Sequence, residues 1–174
     1  MTHPALTRPA ATEHIPYYQS YVSLVPGEDV MAALAGQIGP TLAVLRGIPE
    51  ERGGFRYAPD KWSIKEMLGH VIDTERIFGY RALRFARRDP TPLPGYEQDD
   101  DIRAASFDAC RLADLADELG HVRQSTLHFF RHLASEAWLR AGTANDNLFT
   151  VRALAWIIAG HELHHLRILR DRYL

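Results

Sequence analysis

The most informative stretch of this chain is Trp156-Ile157-Ile158-Ala159-Gly160-His161-Glu162-Leu163-His164-His165. His161 and His165 are four residues apart in it, and side chains at that spacing lie on one face of an α-helix. We therefore predict a buried helix with both imidazoles on its inner face. Burying polar rings without partners is costly, and a single metal ion can bind both rings.

Four segments of the chain carry apolar residues at the spacing of an amphipathic helix. They cover residues 29–46, 63–87, 108–133 and 150–170. We identify no strand pairs, repeats or low-complexity tracts in the sequence. The pattern predicts an all-α fold, a four-helix bundle.

The link between the second and third predicted helices is long and rich in proline, glycine and aspartate over residues 91–102. A crossover of this length allows those two helices to run parallel. We expect residues 1–27 to form an N-terminal tail and lead-in, with a loose tail over residues 1–14. Residues 28–174 are then a single domain.

Composition is that of an ordinary globular domain of 174 residues, with 46% hydrophobic and 24% charged residues. The net charge of −2 predicts no binding to nucleic acid or to a membrane surface. A single cysteine, Cys110, is typical of a reducing compartment. Because we find neither a membrane span nor a signal-peptide pattern, we expect a cytoplasmic protein.

The helical wheel places His70, on the second helix, on the side that faces the bundle. His161 and His165 share the apolar stripe of the fourth helix, and His164 lies at the edge of that stripe. A second pair with the same spacing, His128 and His132, falls on the solvated face of the third helix. His121 lies on the same face. Three inward imidazoles leave a coordination position open, which is typical of a reactive metal site.

Two other interpretations of the histidine stretch remain open. The imidazoles of His161 and His165 can instead be core histidines bonded to other side chains. The letters from His161 to His165 also match H-E-x-x-H, the zinc-protease pattern in which Glu162 activates water. Glu162 is rotated by about 100° from His161, however. We therefore interpret it as a carboxylate beside the site or at the surface.

Asp73 is the first candidate for a catalytic role. It follows His70 by three residues and could orient an imidazole, because ligating histidines commonly donate their second N–H to a carboxylate. The alternative is a surface ion pair of Asp73 with Arg76 or Lys61. The sequence alone does not separate the two.

Arg81 and His164 are the other candidates for a catalytic role. Arg81 lies on the His70 stripe, three turns further along, and could bind a substrate carboxylate through two parallel hydrogen bonds. The alternative, which we favour slightly, is a structural ion pair with Asp99 or Asp100 of the crossover. No catalytic residue is assigned on these patterns.

These motifs resemble those of the DinB-like proteins. Lys61-Trp62-Ser63-Ile64-Lys65-Glu66-Met67-Leu68-Gly69-His70, followed by Asp73-Thr74-Glu75, is similar to their second helix. Ala159-Gly160-His161-Glu162-Leu163-His164-His165-Leu166 is similar to their last helix. The resemblance covers about residues 28–170 and implies an up-down-down-up bundle, often a homodimer. It also implies a divalent metal ion bound by three histidines, which fall here on His70, His161 and His165.

Relatives of this kind include bacillithiol S-transferases, a mycothiol-dependent maleylpyruvate isomerase and metal-dependent hydrolases. The resemblance thus implies a low-molecular-weight-thiol S-transferase that acts on a small molecule, with bacillithiol or mycothiol as cosubstrate. The alternatives are a metal-dependent hydrolase, with His164, Asp73 or Glu75 as its base, and a non-enzymatic metal-binding stress protein. Imidazole suits several divalent metals. Zinc is our first choice and nickel the second.

Overall fold

A computed structural model describes residues 4–174 of the chain. The α-helices in this range are α1 (Gln19–Val22), α2 (Val30–Arg46), α3 (Ile64–Ala86), α4 (Gln98–Ala104), α5 (Leu112–Arg131) and α6 (Val151–Ile168). The four long ones, α2, α3, α5 and α6, form a four-helix bundle, and this confirms the predicted fold class. None of these helices combines the length and apolar character that a membrane span requires.

Contacts between the helices fix their directions. Phe107, just before α5, packs on Gly69 near the start of α3, and Phe129 lines one groove with Leu83 near the two C-terminal ends. Helices α3 and α5 therefore run parallel. The hydroxyl of Tyr173, beyond α6, donates to the Trp62 carbonyl before α3 at 2.7 Å, so α6 runs antiparallel to α3.

Helix α2 completes the order. Near its end Arg46 pairs with Asp117 of α5 at 2.7 Å, and nearer its start the Leu34 carbonyl accepts from Arg123 at 3.1 Å. Helix α2 is therefore antiparallel to α5. The bundle is up-down-down-up, and the crossover between α3 and α5 makes this order possible.

The helix starts agree with the capping signals in the sequence. Ser63 Oγ accepts from the Glu66 backbone N–H at 3.0 Å, and Glu66 Oε2 accepts from the Ser63 N–H at 2.8 Å. Thr150 Oγ1 accepts from the Ala153 N–H at 3.0 Å at the start of α6. These bonds satisfy donors that the first turn of a helix leaves unpaired.

The prediction that the chain has no strand pair is wrong. Strands β1 (Ala141–Ala144) and β2 (Asn147–Thr150) form an antiparallel hairpin before α6. The turn residues Asn145 and Asp146 have φ values of 48° and 58°, as a two-residue hairpin turn requires. Leu93 of the crossover pairs with the hairpin at Ala144. The sequence does not indicate this hairpin, because Ala-Gly-Thr-Ala has little strand propensity and the turn lacks glycine.

The loose tail predicted over residues 1–14 is wrong for residues 4–14; residues 1–3 lie outside the described range. Arg8 donates to the Val25 carbonyl at 2.9 Å, and its guanidinium lies 4.5 Å from the Trp156 ring centroid. Trp156 in turn donates to the Leu6 carbonyl at 3.2 Å. This segment is built from short 3₁₀ turns, which give no periodic signal in the sequence. The domain division at residue 28 stays a prediction.

Candidate metal centre

The structure brings together the three histidines that the helical wheel placed inward. His70 comes from α3, and His161 and His165 come from successive turns of α6. Nε2 of His161 lies 3.0 Å from Nε2 of His70 and 3.0 Å from Nε2 of His165. One nitrogen of each ring lies within 4.8 Å of the other two. The three nitrogens thus converge on one point inside the bundle.

Hydrogen bonding between neutral rings accounts only poorly for this convergence. A neutral imidazole nitrogen carries either one proton or one lone pair. Nε2 of His161 can therefore satisfy its two close neighbours only by sharing that proton or lone pair between them, which weakens both hydrogen bonds. A cation between the nitrogens would instead bind the lone pairs of all three rings.

Burial keeps these rings neutral. His70 is only 4% exposed and His161 only 6%. Burial lowers the pKa of His70 to about 4, and burial together with the neighbouring imidazoles lowers the pKa of His161 and His165 well below the usual value. Neutral imidazoles offer their lone pairs, so the donor set fits a divalent metal ion.

Aromatic rings enclose the cluster. The Trp62 ring centroid lies 4.7 Å from that of His70, and the Tyr21 ring lies 5.5 Å from that of His161. A Cβ on Gly160 would lie 2.1 Å from the Tyr21 carbonyl oxygen, so glycine is what allows α1 to approach α6. Sequence reasoning missed Tyr21, because nothing in its short helix signals that it covers the site.

The outer nitrogens of the rings have few partners. Nδ1 of His70 lies 3.5 Å from Oγ1 of Thr74, which in turn lies 3.2 Å from the Tyr96 hydroxyl. Nδ1 of His165 is buried without a hydrogen-bond partner. Of the two interpretations left open for Asp73, the structure shows the ion pair, with Arg76 at 3.5 Å.

Glu75 and Glu162 are both bound by Arg123, a residue that sequence reasoning missed. Arg123 donates to the two Glu75 oxygens at 2.9 and 2.8 Å and lies 2.7 Å from Glu162 Oε2. Glu162 is only 2% exposed, so of its two expected positions, beside the site or at the surface, the surface one is wrong. Its carboxylate also accepts from Thr41 and Gln37 of α2, so it is directed away from an attacking water. The protease interpretation therefore lacks its base.

The ion pair predicted for Arg81 with Asp99 or Asp100 is also wrong. Nη2 of Arg81 donates to the Pro94 carbonyl at 2.9 Å, and the guanidinium lies 5.6 Å from the Tyr96 ring centroid. Within residues 4–174, no carboxylate pairs with this arginine. Arg81 is buried all the same, with 4% of its surface exposed.

His164 lies beside the cluster and is half-buried. Its ring centroid is 5.0 Å from that of Tyr21 and 5.1 Å from that of His165. Burial, with a smaller contribution from Arg167, lowers its pKa. The histidines predicted for the solvated face of α5 are exposed, as expected; they are His121, His128 and His132.

A cleft reaches the cluster on the His165 side. Its volume is about 390 Å³, and its wall combines Trp62, Tyr173 and Ile168 with polar groups such as Asp99. Concave sites of this size are typical of small-molecule binding, and this one presents polar and apolar groups in similar measure. The arrangement offers a reactant direct access to His165.

Two comparisons with known proteins concern the family and the fold of this chain. The family model of the DinB superfamily matches residues 33–169. Among solved structures, the fold is similar to that of YfiT from Bacillus subtilis, described as "a probable metal-dependent hydrolase with an unusual four-helix bundle topology". The TM-score is 0.68 at 10% sequence identity, over 97% of this chain and 95% of that one. At this identity the likeness concerns the fold.

Proposed function

The chain belongs to the DinB superfamily, and from that premise we propose that it is a metal-dependent enzyme whose divalent ion is bound by His70, His161 and His165. The observation that carries the proposal is the convergence of three buried imidazole nitrogens, with two 3.0 Å contacts at His161 Nε2 that one proton or lone pair can serve only by being shared. Zinc is the first choice and nickel the second. When bound, the ion supplies a Lewis-acid centre that lowers the pKa of a ligand thiol or water.

The residues around the cluster favour a thiol as the reactant. A hydrolase needs a base beside its water, and three carboxylates near the cluster are engaged elsewhere: Arg123 binds Glu75 and Glu162, and Arg76 binds Asp73. Asp99, in the wall of the cleft, is the carboxylate that remains on the His165 side. A thiol loses its proton far more readily than water and does not need such a base. We therefore favour a low-molecular-weight-thiol S-transferase.

The sulfur comes from a cosubstrate such as bacillithiol or mycothiol. The chain's one cysteine, Cys110, lies outside the histidine cluster, with its Sγ 3.8 Å from the Ser106 carbonyl. In the transfer, the sulfur bonds to an electrophilic carbon while a chloride leaves or an epoxide C–O bond opens. The thiol proton passes to solvent or to the opened oxygen. The aromatic cleft beside His165 would bind the apolar part of the electrophile.

Conjugation assays test this function. Metal-loaded protein is mixed with bacillithiol or mycothiol and a chlorinated or epoxide acceptor, and the thioether product is measured by mass spectrometry. We expect product formation that the His161→Ala variant loses, while His128→Ala, on the exposed face of α5, retains it. No conjugation above the His161→Ala background, across the acceptor panel, would rule the transferase out.

A metal-dependent hydrolase is the second candidate, and His164 is the observation that favours it. This ring lies beside the cluster, and its lowered pKa leaves it neutral, as a general base must be. A hydrolase would cleave members of an ester and amide panel, with a rate that rises through the pKa of His164 and falls in His164→Gln. Turnover that instead depends on added thiol favours the transferase. Full metal occupancy without any turnover favours a non-enzymatic metal-binding protein.

A further inference from the structure

A second cavity, of about 220 Å³, lies between α3, the crossover and the hairpin. Its lining includes Tyr17, Tyr18, Arg81, Tyr96, Asn145 and Asn147. The wall thus combines aromatic rings with hydroxyl and amide groups around one guanidinium. Tyr17, which is 62% exposed, lies at its opening to solvent.

The guanidinium of Arg81 lies in the wall of this cavity and has no carboxylate partner within residues 4–174. An arginine side chain has five N–H donors, and a buried charge normally has a counter-ion. Arg81 is 4% exposed, yet among the described residues the one acceptor to which it donates is the Pro94 carbonyl. By contrast, Arg123, whose side chain is fully buried, binds Glu75, and Arg152, whose side chain is 14% exposed, binds Glu13.

The hairpin and the crossover hold this arrangement in place. Leu93 donates to the Thr143 carbonyl at 2.9 Å and accepts from the Asn145 N–H at 3.0 Å. This pairing sets Pro94 against Arg81 and brings the hairpin turn to the edge of the cavity. The contact of Arg81 with a backbone carbonyl in place of a carboxylate is therefore set by the pairing of these two segments.

The chemistry of the cavity fits a carboxylate. A guanidinium matches the planar geometry of a carboxylate, and nearby amide and hydroxyl groups can donate to the same oxygens. A dianion such as phosphate is disfavoured, because Arg81 is the one cation in the lining and Glu97 stands in the same wall. The aromatic rings suit an apolar carbon chain attached to the carboxylate.

Two short hydroxyl contacts lead from this cavity to the histidines. The Tyr96 hydroxyl lies 3.2 Å from Thr74 Oγ1, which is beside His70. On the other side the Tyr17 and Tyr21 hydroxyls lie 3.2 Å apart, and the Tyr21 ring contacts His161. Arg81 is about three helical turns, roughly 16 Å, beyond His70 along α3. Long helical side chains point back toward the N-terminus, which shortens that distance.

We infer that Arg81 binds the carboxylate of an elongated small molecule whose other end reacts at His70, His161 and His165. The inference rests on the proposed metal site and adds a substrate class to it. The molecule lies along the tyrosine hydroxyls, with its charge in the hairpin cavity and its reacting group at the histidines. Arg81 then determines specificity for acidic reactants.

The test uses Co²⁺-loaded protein and ω-mercapto carboxylic acids of increasing length, from mercaptoacetate upward. Thiolate binding to Co²⁺ is followed by its charge-transfer absorption, and ω-mercapto alcohols of equal length are the matched controls. We expect the longer acids to bind at least about tenfold more tightly than the alcohols, as a charge-assisted pair of hydrogen bonds provides. Arg81→Met should abolish this preference without changing Co²⁺ content, and Arg81→Lys should restore part of it.

Three results would overturn the inference: equal affinity for acids and alcohols, a preference that persists in Arg81→Met, and a preference that is as large for mercaptoacetate as for the longest acid. Circular dichroism checks that Arg81→Met folds. If Arg81→Met does not fold, the affinities for acids and alcohols are compared between the wild type and Arg81→Lys instead. Failure of the metal site is distinguishable, because Co²⁺ would then not bind at all. In that case an NMR titration with ¹³C-carboxyl-labelled hexanoate, against Arg81→Met, still measures the carboxylate site.

Discussion

Arg123 and Glu162 form an ion pair of 2.7 Å in which neither side chain is more than 2% exposed. Glu75 binds the same guanidinium, and Thr41 donates to Glu162 from the remaining bundle helix. A single polar network therefore joins α2, α3, α5 and α6. Because Glu162 follows His161 along α6, and Glu75 lies just beyond His70 on α3, the network also holds the two histidine-bearing helices in register.

Replacing Arg123, the cation at the centre of this network, should lower the stability of the protein. Arg123→Met leaves Glu75 and Glu162 buried without a counter-ion, and we expect the free energy of unfolding to fall by about 3–5 kcal/mol. The matched control is Arg103→Met, which removes an ion pair with Asp100 at the surface and should cost less than about 1 kcal/mol. Urea denaturation measures both. Similar losses in the two variants would show that the buried network contributes little.

The close approach of Tyr21 to α6 gives a second prediction. Gly160→Ala places a methyl group 2.1 Å from the Tyr21 carbonyl oxygen, so the N-terminal segment must move away from His161. We expect a loss of about 1–3 kcal/mol in the free energy of unfolding. Gly79→Ala, where a Cβ meets nothing within 4 Å, should instead stabilise helix α3 by about 0.5–1 kcal/mol. Thermal denaturation of both variants measures these changes. A Gly160→Ala variant more stable than the wild type would contradict the close packing of Tyr21 on α6.

Metal-free protein should lose stability in mild acid. The pKa of His70 is about 4 in the folded state, because of burial, and about 6.5 when unfolded. Between these pH values the unfolded chain binds a proton that the folded protein does not, so the free energy of unfolding falls as the pH is lowered from about 6.5 to about 4. His70 alone contributes about 3 kcal/mol to this loss. The shifts of His161 and His165 have the same sign.

The His70→Gln variant isolates this effect from the titration of carboxylates. Chelator-treated wild type and variant are denatured with urea at about pH 7.5 and about pH 4.5. The wild type should lose more stability between the two pH values than the variant does. Parallel losses would mean that His70 titrates normally in the folded protein.

The histidine cluster was predictable because it depends on helical periodicity alone. The period of an α-helix indicates which of the seven histidines in the predicted helices face inward. His14 lies outside those helices and is buried, so its position was not predictable in this way. The helical period separates His161 and His165 from the equally spaced His128 and His132, which are exposed. The start of α3 was predictable for a similar reason, because its capping box is a local signal between Ser63 and Glu66.

The features that escaped prediction depend on contacts between distant segments. In the sequence, Arg123 does not differ from the other charged residues of α5. Its role becomes visible only in the fold, where Glu75 and Glu162 of two other helices bind it. Attention to the inward position of Glu75 on α3 could have suggested a buried cation. The partner of Arg81 was assigned wrongly because the crossover aspartates are close in sequence, whereas the hairpin that places Pro94 against Arg81 has weak strand propensity.

The central claim is that His70, His161 and His165 together bind one divalent metal ion. Elemental analysis of untagged protein, with Co²⁺ titration of chelator-treated samples, tests it most directly. We predict one ion per chain, and at least about a hundredfold weaker binding in each of His70→Ala, His161→Ala and His165→Ala, because each removes a direct ligand. His132→Ala should bind as the wild type does. A wild type without metal, or alanine variants that bind it equally well, would contradict the account.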